Sequence, residues 1–221
     1  VAVTTALALT ACGSSSTNTT TDDKSAESTE TTDDTTYKIG VLQLTQHAAL
    51  DKANEGFIAA LGESGIKYEV DQQNASGEQS ACQTIAEKLV NDGNDLIYAI
   101  ATPAAQAVAG VTSEIPIVLS AVTDPAESGL VASNDAPGGN VTGTSDLTPV
   151  KEQIELLKQI LPDAKTVGIL FCSSESNSEI QAAMAREACE ALFSACVRSS
   201  LLLTLVTPLL HEPSIGLTIT G

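Results

Sequence analysis

Hydroxyl, amide and carboxylate side chains follow several short apolar segments of this sequence, in loops that are poor in lysine and arginine. Such groups suit a small zwitterion, because helix N-termini and hydroxyls can hold a carboxylate and an aspartate can pair with an ammonium group. A phosphate ligand would instead call for lysine or arginine side chains, in which these loops are poor. The candidate ligand-binding residues are Thr45, Gln46, His47, Thr102, Thr123, Asp124, Ser145, Asp146, Ser174, Ser176, Asn177 and Ser178.

Some of these residues also have structural interpretations. Thr102 and Asp124 could cap a helix or a turn, and His47 could be a solvated loop residue. Either Asp124 or Asp146 could meet the ammonium group of a ligand. These alternatives stay open at the level of the sequence.

Signatures of catalysis are weak. The sequence contains no GxSxG elbow, no P-loop and no GxGxxG. Its two histidines, His47 and His211, have no spacing that supports a triad. The cysteines form no CxxC pair, which argues against zinc, and Cys82 lies on an apolar helical stripe typical of a core. We therefore expect no catalytic residue, no metal and no cofactor.

The elements that would position these residues follow a βαβ pattern. Apolar segments typical of strands begin near residues 39, 68, 96, 117 and 141, and helical stripes lie between the first four. Continuous apolar strands indicate burial on both faces, as in a parallel sheet. Ligands of such sheets bind outside the carboxyl ends of the strands. Residues 37–145 are therefore predicted to form one doubly wound α/β lobe with the candidate residues at one edge.

A second α/β lobe is predicted to start at residues 146–192, where a helix that ends at Pro162 is followed by the strand 166–171 and another helix. Residues 193–221 do not continue the pattern, because the segment 199–210 is apolar without a clean period. We interpret this tail as a truncation or a frameshift; the alternative is a genuine short hydrophobic tail. The second lobe is therefore expected to be incomplete.

Charge and the N-terminus bear on the location of the protein. The net charge of −18 argues against binding of nucleic acid. The sequence contains no run of 18 apolar residues, so it predicts no transmembrane helix. Residues 1–12 end in Leu-Thr-Ala-Cys, which resembles a lipoprotein box with Cys12 as the lipidation site. Residues 13–36 are polar and predicted to be a disordered tether. The alternative to the lipoprotein box is that residues 1–12 are an ordinary frayed segment with a chance cysteine.

Two segments of the sequence, PGGNVTGTSD and ATPAAQA, are specific enough to suggest a family. Together with longer segments spread over residues 37–192, they resemble the tryptophan/tyrosine-type family of ABC-transporter substrate-binding proteins. It implies a type I periplasmic-binding-protein fold, with the ligand between two lobes that close by hinge bending. The positions 45–47, 102, 123–124 and 145–146 would form one wall, and 174 and 176–178 part of the other.

The resemblance also implies a function. The chain would be an extracytoplasmic, lipid-anchored solute-binding protein that captures a small molecule, such as an aromatic amino acid, and delivers it to a membrane permease. It would act as a monomer and without catalysis. Tyr98 and Phe171 are the aromatic side chains near the predicted site that could stack on a ring. The alternatives are a sensory lobe on the same scaffold and an enzyme of the cell envelope.

Overall fold

A computed structural model describes residues 35–193 with their side chains and residues 195–201 and 216–220 as backbone. The lipobox with Cys12, and nearly all of the predicted tether, lie outside the described residues. His211 also lies outside them.

The first unit is built on a five-stranded parallel sheet with the order β2-β1-β3-β4-β5. Since all five strands run in the same direction, their carboxyl ends meet at one edge. The order reverses between β1 and β3, which is where ligands bind in open α/β sheets. The strands are β1 (Thr36–Gln43), β2 (Lys67–Asn74), β3 (Leu96–Ile100), β4 (Ile117–Val122) and β5 (Val141–Ser145).

Helices cover both faces of this sheet. Helix α1 (Ala48–Glu63) packs against Val41 and Tyr98. Helices α2 (Gln79–Asn91) and α3 (Thr102–Val111) pack on the opposite face, around buried aliphatic side chains. The doubly wound α/β architecture predicted from the sequence is therefore confirmed.

The second unit is a partial α/β lobe. Its sheet has the order β7-β6-β8, with β7 parallel and β8 antiparallel to β6. One face is covered by α4 and α5, which bury Ile154 and Ala182 against Phe171. The elements are α4 (Val150–Ile160), β6 (Thr166–Cys172), α5 (Ser176–Leu192), β7 (Ala195–Leu201) and β8 (Gly216–Thr220). Two segments of the predicted tail thus pair with β6.

Element bounds agree best where the sequence carries sharp boundaries. Strands β3 and β4 begin at the predicted residues 96 and 117, and Cys82 lies in the core at 1% exposure. Burial raises the pKa of the Cys82 thiol to about 11, as expected for a structural cysteine. No described helix combines the length and the apolar character that a membrane span requires.

Candidate functional site

The carboxyl edge of the first sheet carries a row of buried polar residues. Thr45, Thr102 and Thr123 follow β1, β3 and β4 and are 9%, 2% and 5% exposed. The edge also has unusual backbone: Ser76, Ala101 and Ala121 adopt positive φ without being glycine. Backbone strain of this kind concentrates at functional sites, where the surrounding structure holds it in place.

Thr102 is the most conspicuous of these residues. The prediction that it caps α3 is wrong: Ala101 occupies the N-cap position with φ 85° and ψ 153°, and Thr102 is the first helical residue. Proline at the following position then removes one backbone donor from the first turn. The Thr102 hydroxyl oxygen is buried and has no hydrogen-bond partner among the described residues. A buried hydroxyl without a partner is unfavourable, so this group can accept a water molecule or a polar ligand as its partner.

Ala101 offers a direct test of strain at this edge. Its φ and ψ lie in a region that glycine occupies readily and alanine does not. We expect Ala101→Gly to raise the free energy of unfolding by about 1 kcal/mol, because relief of strain outweighs the added flexibility of the unfolded chain. Urea denaturation measures the change. The matched control is Ala109→Gly inside α3, which should lower the same quantity by about 1 kcal/mol. Destabilisation by both variants would contradict the strain at Ala101.

The two aspartates at this edge differ in their surroundings. One carboxylate oxygen of Asp124 accepts hydrogen bonds from the N–H groups of Ala126 and Glu127, both at 3.1 Å, and from the Asn134 amide at 2.9 Å. The Asn134 hydrogen bond, followed by those from the backbone, holds the pKa of Asp124 below its ordinary value. Asp124 is therefore engaged in organising its own turn.

Asp146 has no comparable set of donors. Asp146 is an exposed residue, and partial desolvation of its carboxyl group by neighbouring protein atoms raises its pKa above the ordinary value. Hydrogen bonds from its own N–H and from the Thr123 hydroxyl only partly oppose this rise. Within the described part of the chain no lysine or arginine pairs with Asp146, so its partly desolvated carboxylate suits an incoming ammonium group.

The other predicted residues of the first wall lie at the same edge but have structural contacts. His47 is the N-cap of α1, where its Nδ1 accepts from the Ala49 N–H at 3.3 Å. The Ser145 hydroxyl donates to the Thr123 carbonyl at 2.6 Å. Thr45 and Gln46 line a concavity of about 280 Å³ with Asn74 and Ser76.

The predicted residues of the second wall surround the start of α5. The Ser178 hydroxyl accepts from the Cys172 N–H at 3.2 Å and is engaged in the loop. The side-chain oxygen of Asn177 is buried and has no hydrogen-bond partner within the described ranges. Ser174 and Ser176 take part in contacts with the first unit. None of the twelve candidate residues is shown to contact a ligand, so their role in binding stays a prediction.

Three glutamines that the sequence analysis missed join the two units. The Gln79 amide donates to the Ser174 carbonyl at 2.9 Å, and the Gln106 amide to the Ser176 hydroxyl at 3.1 Å. The Gln181 amide donates to the Thr123 hydroxyl at 3.3 Å. The only sequence signal was position: Gln106 follows Thr102 by one helical turn. Three of the candidate residues, Thr123, Ser174 and Ser176, therefore lie at the contact between the two units, here called the cleft.

Neither of the predicted stacking residues lies in this cleft. Tyr98 is buried on the α1 side of the first sheet, with its ring stacked on Phe57 at 4.0 Å between centroids. Phe171 is buried in the core of the second unit. The expectation that they could contact a ligand is wrong, because both point into hydrophobic cores.

Two larger concavities of about 440 Å³ lie elsewhere. One is lined by Lys158 and Phe193 at the amino end of β6, the end opposite the cleft, and the other by Asp51, Asn54 and Gln72 on the outer side of α1. Within the part of the chain that the structure describes, no group of three or more His, Cys, Asp or Glu side chains is placed to hold a metal ion.

Two α/β units that face each other across a polar cleft define a bilobal ligand-binding protein. The sequence places the chain more specifically. Residues 38–199 match the profile of the ABC transporter substrate binding protein family, and the chain belongs to that family. The family is one of substrate-binding proteins rather than enzymes.

Relatives with known roles or structures support this assignment. A tyrosine-binding protein of Clostridioides difficile (strain R20291) is 50% identical over 147 residues, which are 65% of this chain and 43% of the relative. A protein from Streptococcus pneumonia, crystallised with L-Trp, is 40% identical with a TM-score of 0.71, over 76% of this chain and 58% of the other. The chain therefore spans about half the length of these relatives. Neighbours of lower identity, such as a leucine-binding protein of Thermotoga maritima at 18% and TM-score 0.60, share the type I periplasmic-binding-protein fold.

The arrangement of the two units can also be compared. A ligand-free, open substrate-binding protein from Clostridium difficile is 41% identical over 75% of this chain and 57% of its own, but its TM-score is 0.58. The L-Trp complex is equally similar in sequence and gives 0.71. The two relatives thus differ in how well they superpose on this chain.

Proposed function

We propose that this chain captures an α-amino acid with an aromatic side chain for an ABC importer, and that its described residues recognise the amino-acid backbone of the ligand. The observation that carries the proposal is the buried, unpartnered Thr102 hydroxyl at the N-terminus of α3, on the same sheet edge as the desolvated Asp146. The tyrosine-binding relative and the relative with bound L-Trp supply the choice of an aromatic amino acid.

Thr102 and α3 are suited to the ligand carboxylate. The first N–H groups of a helix lack intrahelical partners and carry partial positive charge. In this helix, Pro103 has no N–H and Ala105 already donates to the Ala101 carbonyl at 3.0 Å, which leaves the N–H groups of Thr102 and Ala104. Together with the Thr102 hydroxyl they give three donors at one point. A carboxylate bound there would satisfy the hydroxyl that the described residues leave unpaired.

Asp146 is suited to the ligand ammonium group. Its carboxyl group is already partly desolvated. Binding of an ammonium group therefore has to remove less water from it than from a fully solvated aspartate. Asp124 is the weaker choice, because its carboxylate is occupied by three donors of its own loop. Of the two alternatives left open by the sequence, we therefore favour Asp146.

The ring of the ligand would be recognised differently. All six aromatic residues of the chain lie among the described residues. Those whose rings stack on each other or lie in a hydrophobic core are away from the cleft. We therefore propose that ring contacts come from apolar and polar side chains at the cleft rather than from stacked aromatic rings. On this proposal, affinity for the amino-acid backbone exceeds discrimination between side chains.

The cellular setting forms part of the proposal. Cys12 would carry the lipid anchor on the extracytoplasmic face, the polar tether would link it to the binding units, and the ligand-bound monomer would dock on a permease. The ligand would act by stabilising the closed arrangement of the two units relative to the open one. The lipoprotein box and the family membership support this setting.

Thermal unfolding of the full chain with candidate ligands tests the proposal. L-Tyr or L-Trp at 100 times its dissociation constant should stabilise the fold by about 2.7 kcal/mol. For a chain of this size that corresponds to a rise in the melting temperature of about 5–10 °C. The matched controls are N-acetyl-L-Trp, L-tryptophanamide and indole, which lack the ammonium group, the carboxylate and both. We expect no shift with any of the three. An equal shift with indole would contradict recognition of the amino-acid backbone.

A further inference from the structure

The two units are joined by side-chain amides. Each of the three glutamines, Gln79, Gln106 and Gln181, donates from its Nε2 to an oxygen of the opposite unit, at distances of 2.9–3.3 Å. Because donor and acceptor lie on different units, these hydrogen bonds exist only when the cleft is closed.

Gln106 differs from the other two in its second contact. Its Nε2 also donates to the Ser128 carbonyl at 3.2 Å, within its own unit. An amide nitrogen has two hydrogens, so both contacts can exist together. The Ser128 carbonyl therefore holds the Gln106 side chain in place, and less side-chain entropy is lost when the bond to the Ser176 hydroxyl forms.

The position of this bond matches the proposed site. Gln106 lies one turn beyond Thr102 on α3, and Ser176 is the first residue of α5. Their hydrogen bond therefore joins the second turn of α3 to the first turn of α5. Gln106 is nonetheless an exposed residue on the outer side of this junction.

We propose that Gln106 is a positioning residue that latches the closed state, and that it strengthens amino-acid binding without contacting the ligand. This inference rests on the proposed function for its effect on affinity. The apparent affinity of a closing protein scales with the population of its binding-competent state. A neutral hydrogen bond of this kind shifts such an equilibrium by about 2- to 10-fold.

The first arm of the test measures affinity for L-Trp by calorimetric titration of the full chain. Gln106→Ala should weaken binding by about 2- to 10-fold. The matched control is Gln83→Ala, since Gln83 is an exposed helical glutamine whose amide bonds to Glu87 of its own helix at 2.9 Å. It should bind as the wild type does. In a double-mutant cycle with Ser176→Ala, the two losses should be less than multiplicative if the hydrogen bond couples the two residues.

The second arm needs no ligand. Cys172 is half-buried at the cleft, with its sulfur 3.1 Å from the Ser174 hydroxyl, whereas Cys82 is buried in the first core. Alkylation by iodoacetamide, followed residue by residue with mass spectrometry, reports opening at Cys172 and unfolding at Cys82. Gln106→Ala should accelerate alkylation of Cys172 by about 2- to 10-fold and leave Cys82 unchanged.

The two arms separate the latch from the proposed function. If the wild type binds no amino acid but Gln106→Ala still accelerates alkylation of Cys172, the latch stands and the proposed function fails. If L-Trp binds and Gln106→Ala leaves its affinity unchanged, the latch is overturned. If no amino acid binds and the reactivity of Cys172 is also unchanged, both are overturned. Acceleration at Cys82 as well would assign the effect to unfolding and overturn the latch.

Discussion

Asp146→Asn is expected to abolish useful amino-acid binding while leaving the ligand-free chain at least as stable as the wild type. Removal of one partner from a hydrogen-bonded charge pair costs about 2–4 kcal/mol, or about 30- to 1,000-fold in affinity. Calorimetric titration with L-Trp measures the loss, and denaturation of the ligand-free protein measures the stability. The two effects have opposite signs because the same desolvation that prepares the carboxylate for an ammonium group opposes its charge in the free protein.

The pH dependence of stability follows from the same observation. The folded chain holds the pKa of Asp146 above its unfolded value, chiefly through desolvation. The folded state therefore binds a proton here more tightly than the unfolded state does. The contribution of this group to stability is greatest below the unfolded pKa and is lost as the pH rises through the folded pKa. In Asp146→Asn that part of the pH dependence should disappear.

Asp124→Ala is the matched control, because it changes the other aspartate of the same edge. Three donors of its own loop hold the pKa of Asp124 below the ordinary value, so its contribution to stability is present above the unfolded pKa and is lost as the pH falls. Loss of this cap should cost about 1 kcal/mol of unfolding free energy. If Asp124→Ala removed binding without loss of stability and Asp146→Asn did the reverse, the assignment of the two aspartates would be exchanged.

The sequence was sufficient for the elements between residues 37 and 192 and for the sheet edge that carries the candidate residues of the first unit. Apolar runs with sharp ends placed β3 and β4 to the residue, and the rule for open α/β sheets then selected Thr102 and Thr123. The pairing of β1 between β2 and β3 is a tertiary property that no local pattern encodes. The sequence therefore predicted which residues end a strand, and the structure supplied which strands are neighbours.

The failures have physical causes that can be named. Phe171 is the penultimate residue of β6, and a one-residue difference in register decides whether a strand side chain faces a core or a cleft. Thr102 was predicted to be a cap because Thr-Pro is a common helix start, but the strained Ala101 takes that position. The cleft glutamines were missed because an exposed glutamine on a helix has the same local pattern whether it meets water or another unit.

Gly143→Ala is expected to have the largest effect on the fold. Gly143 in β5 pairs with Leu119 in β4, and a Cβ at position 143 would lie 2.1 Å from the Leu119 carbonyl oxygen and 2.7 Å from its nitrogen. Both contacts are with backbone, so no side-chain rotation can relieve them. The strands would have to separate, or φ at 143, which is 156°, would have to change. We expect a loss of about 3 kcal/mol or more in unfolding free energy, and a melting temperature lower by about 6–12 °C.

The consequence for binding follows from what these two strands carry. Thr123 follows the end of β4 and Asp146 follows the end of β5, so separation of the strands moves the two residues apart. Gly143→Ala should therefore weaken binding even in the fraction that remains folded. Gly139→Ala is the matched control, since a Cβ there meets no atom within 4 Å and the residue does not need a positive φ. The free energy of unfolding of Gly139→Ala should lie within about 0.5 kcal/mol of the wild-type value. Equal melting temperatures for the two variants would contradict the pairing of Gly143 with Leu119, and with it the geometry that places Asp146 at the binding edge.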